Sequence, residues 1–153
     1  GSNNKHHYGQ GGLYKHTIEV THLMYDVNFR LKLNLDNYLI TLVATYHDIG
    51  KLHDYEPVDK YYLEWRKTEH CRKVHHISRS SIIWNLEATK LNFPQIYIDE
   101  VTHAILSHHG QREWGSPVAP KTKLAWLLHL CDNLSARMDD CDKIDLIKVN
   151  KNE

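Results

Sequence analysis

The sequence predicts an all-α domain, a bundle of five or more helices interrupted by one irregular flap around residues 53–75. Three observations carry this. Apolar residues recur at helical spacing in five separate segments. No stretch shows sustained strand alternation. Gly, Pro and Asn cluster between the periodic segments, where turns belong. A chain of 153 residues is long enough for one domain with a sizeable core.

Residues 1–10 are polar and read as a flexible lead-in, with Gly1-Ser2 a cloning remnant, and Gly11-Gly12 ends it. A first helix follows from Leu13 to about Arg30. His16, Val20, Leu23 and Val27 share one of its faces, so His16 points inward with the core. Asp36 can cap a second helix of about 16 residues. Leu39, Ile40, Leu42, Val43, Ala44 and Ile49 make that helix apolar nearly all round, which predicts the central position. His47 and Asp48 lie near its C-terminal end, which Gly50 loosens.

The helical period then disappears. Tyr55, Tyr61, Tyr62 and Trp65 mix with Pro57 and many charges, predicting a loop with room for a short hairpin around 60–75. Arg66, Lys67, Arg72, Lys73 and Arg79 make this the most basic stretch; it can touch a nucleotide or be a solvated flap. A third helix is expected from about His76 to Leu91, anchored by Ile83, Trp84, Leu86 and Leu91, and Asn92-Phe93-Pro94 breaks it. A fourth runs from about Gln95 to His108. Tyr97, Val101, Ala104 and His108 share its face, with Ile98, Ile105 and His109 close by. After the Gly- and Pro-containing loop from Gly110 to Pro120, a fifth helix runs from about Lys121 to Met138. The domain therefore spans 11–140, and 141–153 is a charged, frayed tail.

Composition excludes some functions. Lys plus Arg and Asp plus Glu number 19 each, so the formal net charge is zero. Strong non-specific nucleic-acid binding is not expected, while a small anionic substrate in a local pocket remains compatible. No apolar run approaches the roughly 20 residues of a membrane span, and no signal peptide is visible. Three cysteines without a CxxC motif suggest a reducing, cytoplasmic compartment.

The thirteen histidines include three adjacent pairs, His6-His7, His75-His76 and His108-His109. Any one inward histidine is readily explained as a hydrogen-bonded core residue. The set is harder to explain that way. Asp48 and Asp132 both sit in apolar stretches, where a carboxylate is costly unless a cation satisfies it. His16, His47, Asp48, His76, His108, His109 and Asp132 all fall on inward faces or segment ends. Seven donors suit two ions better than one, and Asp48, with two oxygens to share, is the natural bridge. Such a pair can activate a water for in-line attack on phosphorus. His-rich ligation favours Mn, Fe, Co, Ni or Zn over Mg. His103 lies about 140° round the helix from His108 and is left out.

The order His16, then His47-Asp48, then Asp132 resembles the HD-domain superfamily of metal-dependent phosphohydrolases. Gly11-Gly12-Leu13-Tyr14-Lys15-His16-Thr17, His47-Asp48-Ile49-Gly50-Lys51 and His76-Ile77 are similar to one of its branches. So are Ala104-Ile105-Leu106-Ser107-His108-His109-Gly110 and Glu113-Trp114-Gly115-Ser116-Pro117-Val118. That branch is the HD domain of YhaM-type 3′–5′ exoribonucleases, and the similarity covers residues 11–138. The resemblance implies an HD-domain helical bundle with two metal positions. One would take His16, His47, Asp48 and Asp132; the other, Asp48, His76, His108 and His109. Mn or Fe are the family-like ions. Glycine is usual in the family at the position of His75, which makes His75 a rival to His76.

Asp48 and Lys51 are the expected catalytic residues. Lys51 follows the His-Asp pair closely enough to hold a phosphate oxygen, or else satisfies helix-end carbonyls. Arg79, Arg112 and Ser116 are further candidates for substrate contact. Each is equally a surface arginine or a turn-forming serine, and Trp114 can stack on a base or pack the loop. The family carries an OB-fold nucleic-acid domain ahead of the HD domain, for which these residues leave no room. The expected activity is therefore a phosphodiesterase acting on a cyclic nucleotide or short oligonucleotide. A phosphomonoesterase of 5′-nucleotidase type, a di-iron oxygenase and a non-catalytic regulatory domain are the alternatives.

Overall fold

A computed structural model describes residues 11–61 and 64–150, with side chains through Cys141. The lead-in 1–10, Tyr62 in the flap and residues 151–153 lie outside the described residues. The elements run α1 (Gly12–Arg30), α2 (Asn37–Tyr46), α3 (Lys51–Asp54), β1 (Tyr55–Pro57) and β2 (Trp65–Lys67). They continue with α4 (Glu69–Lys73), α5 (His76–Lys90), α6 (Gln95–Ser107), a 3-10 turn (Arg112–Trp114) and α7 (Lys123–Asn150). The all-α expectation holds. The flap does contain a hairpin, an antiparallel pairing of Tyr55 with Lys67, Glu56 with Arg66 and Pro57 with Trp65. It starts earlier than the sequence suggests and is followed by α4, which the sequence does not signal. Thr68 caps α4 by accepting from the Cys71 amide.

α2 packs against α1, α5, α6 and α7, as its all-round apolar character predicts. Asp36 caps it, accepting from the Tyr38 amide at 2.8 Å. The predicted single helix of about 16 residues is, however, broken after Tyr46. From there the backbone tightens into bonds of the i→i+3 kind, Ile49 to Tyr46, Lys51 to Asp48, Leu52 to Ile49 and His53 to Gly50. The His47 ring binds the Ala44 carbonyl at 2.8 Å, so that carbonyl is claimed by a side chain.

The core is built from Val20, Met24, Ile40, Val43, Trp84, Val101, Ile105, Leu124 and Leu128, with smaller residues between them. Three expectations are corrected. On α1 the buried stripe is His16, Val20 and Met24; Leu23 and Val27 are only half-buried beside it. On α5 the stripe is Ile77, Ser80, Trp84 and Ala88, leaving Leu86 57% and Leu91 68% exposed. Leu86 and Leu91 lie off the stripe, whose close-packed positions are held by the small Ser80 and Ala88. Tyr97 likewise lies off the α6 face formed by Ile98, Val101, Ala104 and Ile105. α7 continues to Asn150, past the predicted end near Met138. Among the described residues no helix is long and apolar enough to cross a membrane.

His75, the residue before α5, has φ +67° and ψ 149°. This region is close to one that only glycine occupies without strain, at a cost of order 1–3 kcal/mol. His75→Gly is therefore expected to stabilise the fold by about 1 kcal/mol, since glycine's freer unfolded state returns part of the relieved strain. Thermal unfolding reads this as a rise of about 2–4 °C. A fall instead would mean that the His75 ring, whose centroid lies 4.1 Å from that of His76 with the planes tilted by 41°, contributes more than the strain costs.

Candidate metal centre

The fold gathers the seven predicted donors into one buried cluster. His16 comes from α1, His47 and Asp48 from the turn after α2, His76 from the first residue of α5. His108 caps α6, His109 follows it, and Asp132 comes from α7. In one half, His16 Nε2 lies 3.0 Å from Asp132 Oδ1, 3.3 Å from His47 Nε2 and 3.5 Å from Asp48 Oδ2. His47 Nε2 lies 3.5 Å from Asp48 Oδ2 and 3.8 Å from Asp132 Oδ1. A tetrahedron of donors about 2.1 Å from a central ion has edges of about 3.4 Å, so these separations suit one divalent cation. In the other half, the second Asp48 oxygen, Oδ1, lies 3.4 Å from His76 Nε2 and 3.6 Å from His108 Nε2. His109 can bring a donor atom within 4.8 Å of theirs. Asp48 thus presents one oxygen to each half.

The imidazoles are oriented by a common device. His16 Nδ1 is bonded to Ser135 Oγ at 3.1 Å, and that hydroxyl donates to Glu19 at 3.0 Å. His47 and His108 each fold back on the carbonyl three residues earlier, Ala44 and Ile105, at 2.8 and 2.7 Å. His109 Nδ1 donates to the Trp114 carbonyl at 2.8 Å, and His76 Nδ1 to Asp54 Oδ2 at 3.2 Å. With Nδ1 committed as the donor on every ring, the lone pair sits on Nε2, the atom that faces the centre.

Electrostatics agree with this geometry. Asp48 is 1% exposed; its Oδ1, with His76 Nε2 and His108 Nε2, is buried without a hydrogen bond, while its Oδ2 meets the Lys51 ammonium. Orphaned buried acceptors of this kind fit a cation held among them. Burial works to raise the Asp48 carboxyl, but the Lys51 ammonium and the nearby imidazoles hold it well below the usual range. Burial pushes His47 and His76 down to about 4 and His109 to about 3, so all three are neutral, ligand-ready imidazoles at neutral pH. Burial also acts to lower His108, yet the Asp48 and Asp132 carboxylates outweigh it and raise the group.

The predicted substrate contacts are distributed unevenly. Lys51 enters the centre: its ammonium contacts Asp48 Oδ2. Arg79 is committed in part elsewhere, with Nε donating to His70 Nε2 at 3.0 Å. Arg112 is exposed on the 3-10 turn. Ser116 is buried, and its hydroxyl has no partner among the described residues. His103 accepts from the Lys121 amide at 3.0 Å, outside the cluster. His75 can share an ion with Asp54 and His76, but both Asp54 oxygens are already engaged as acceptors.

Several supporting residues escape sequence reasoning. Asp54, buried in the region read as a loose flap, accepts from His70 Nδ1 at 2.8 Å, from the His76 amide at 3.0 Å and from His76 Nδ1. These bonds hold its carboxyl down at about 2 despite burial, which acts to raise it. Arg79, His70, Asp54 and His76 thus form a hydrogen-bonded row ending at the centre. Ser80 Oγ accepts from the Gly50 amide at 2.9 Å and ties the His47–Gly50 turn to α5. His129 donates to the His108 carbonyl at 2.8 Å. Glu19 and Ser135 did leave a signal, since each lies three residues beyond a candidate ligand on the same helix. Asp54→Asn is expected to keep the fold and weaken Mn²⁺ binding at the His76 half about 10–100-fold. A calorimetric titration checks this; unchanged affinity in both halves would remove Asp54 from the site.

The family model described as "HD domain" matches residues 13–137. The chain is 34% identical over 139 residues to the 3′-5′ exoribonuclease YhaM of Bacillus pumilus, covering 90% of this chain and 42% of that protein. The YhaM proteins of Bacillus subtilis and Bacillus velezensis are each 33% identical over the same length and shares. The chain therefore spans less than half the length of these relatives. No solved structure gives a significant match. A family match over most of the chain, on a helical fold whose His and Asp residues converge as described, places this protein in the HD-domain family.

Proposed function

We propose that this protein is a metal-dependent phosphodiesterase that hydrolyses a nucleotide-type phosphodiester, with a short single-stranded oligonucleotide as the favoured substrate. The observation that carries this reading is the division of Asp48, one oxygen toward each of two donor sets. Two divalent transition-metal ions, Mn or Fe by family likeness and Co, Ni or Zn by donor chemistry, would supply charge stabilisation and a water of lowered pKa. His16, His47, Asp48 and Asp132 would hold one; Asp48, His76, His108 and His109 the other. Lys51, beside Asp48, is placed to offset charge developing on the phosphoryl oxygens. Arg112 and Ser116 lie on the loop that starts at His108-His109 and would contact the substrate, with Arg79 beyond His70. The oligonucleotide preference is supported by the activity named for the YhaM relatives. Buried Cys71 and Cys131, with no disulfide among the described residues, support a reducing, cytoplasmic setting.

The test is a hydrolysis screen with Mn²⁺ or Fe²⁺ over cyclic mono- and dinucleotides, short RNA, short DNA and nucleoside monophosphates. Diester cleavage that chelation abolishes is the expected result. Turnover of monophosphates alone would favour the nucleotidase alternative. Absence of metal-dependent turnover on every ester would overturn the reading.

A further inference from the structure

We propose that Trp114 and Trp126 form a base-stacking ledge that receives single-stranded nucleic acid beside the candidate metal centre. This rests on the phosphodiesterase reading and names its substrate class as a strand with at least one base outside the reacting nucleotide. The two indoles are 54% and 49% exposed, whereas Trp84 is buried in the core. Both lean on the same histidine. The Trp114 and His129 rings lie 6.4 Å apart and 29° from parallel; Trp126 meets His129 edge-on at 5.8 Å.

His129 is a rigid support. It is buried and donates to the His108 carbonyl, and Gly110 lies so close that a Cβ there would sit 2.4 Å from its ring. The Trp114 carbonyl in turn accepts from His109 Nδ1. The ledge is therefore tied by hydrogen bonds to two adjacent candidate ligands, so it cannot drift from the centre as a free loop would. Large half-exposed aromatics fixed beside such a centre match the sequence-tolerant stacking platforms that bind single strands. The chain's formal net charge of zero makes stacking, more than phosphate neutralisation, the expected source of grip. Leu130, Leu134 and Met138 continue an exposed stripe along α7, but only its Trp126 end touches His129.

The experiment measures binding of a fluorescent eight-nucleotide oligo(U) by anisotropy, in EDTA so that no turnover occurs. Trp126→Ala is expected to weaken binding roughly tenfold, with Trp126→Phe restoring most of it and the circular dichroism spectrum unchanged. The salt slope is expected to be shallow, below that of about three phosphate contacts. Equal affinity of wild type and Trp126→Ala, failure of phenylalanine to rescue, or a steep salt slope would each overturn the proposal. A change in sedimentation without a change in oligo(U) affinity would also overturn it and assign the stripe to contact between copies. Since this readout needs no hydrolysis, a negative screen for turnover and a negative binding result are separately visible.

Discussion

Asp48→Ala is expected to lower kcat/KM on the best diester by about 1,000-fold or more, because metal-centred charge stabilisation of several kcal/mol depends on it. Neither half of the centre is complete without this carboxylate. Its Oδ2 lies 3.5 Å from both His16 and His47, and its Oδ1 lies 3.4 Å from His76 and 3.6 Å from His108. Removing it leaves the second half with three imidazoles and no anion, and the first with one carboxylate, Asp132. Metal stoichiometry by elemental analysis is expected to fall along with activity. A thermal signature separates this from a folding defect. Bound metal stabilises the wild type by mass action, so added Mn²⁺ should raise its melting temperature and leave that of Asp48→Ala nearly unchanged. In metal-free protein the substitution removes a buried charge but also leaves the Lys51 ammonium without its Asp48 partner, so the Mn²⁺-induced rise, and not the starting melting temperature, is the diagnostic. Metal-dependent turnover retained in Asp48→Ala would refute the two-position reading.

What made this centre legible in sequence was contrast. His16, Asp48 and Asp132 stand out because each interrupts an apolar helical period, and the period also fixes the direction in which each points. The same angular argument separates His103 from His108, and the two do part: one meets the Lys121 amide, the other the centre. Asp54 had no such contrast. It lies where the period is lost, and its partners His70 and His76 are 16 and 22 residues away. The break after Tyr46 was hidden for a related reason. The apolar pattern runs on to Ile49, while the break answers to a side chain, the His47 ring, taking a carbonyl that periodicity assigns to the helix. On α5 the difficulty was size. Ser80, which meets the turn after α2, is a small polar residue on a face where an apolar period points to large ones.

Gly50→Ala is the substitution that tests this contact most severely. Gly50 has φ −61°, an ordinary helical value, so its role is space and not backbone freedom. A Cβ there would lie 2.3 Å from the His76 carbonyl oxygen and 2.9 Å from the His76 C and Cα atoms. These are backbone atoms in the first turn of α5, and no rotamer change can move them aside. Relief requires the His47–Gly50 turn and α5 to separate, which also stretches the buried bond from the Gly50 amide to Ser80. Overpacking of about 1–3 kcal/mol plus a lost buried hydrogen bond of about 1–3 kcal/mol gives an expected destabilisation of about 2–6 kcal/mol. For a domain of this size the melting temperature should fall by about 5–20 °C. The site should respond unevenly. His76 is the first residue of α5, so separation carries it away from Asp48 Oδ1 while His16, His47 and Asp132 stay together. One bound metal ion per chain in place of two is therefore expected at low temperature, where Gly50→Ala remains folded. Ser80→Ala is the control, since it removes the hydrogen bond and leaves the spacing, and it should keep both ions. If Gly50→Ala melts within about 2 °C of wild type, the close approach of the turn to α5 does not set the width of the centre.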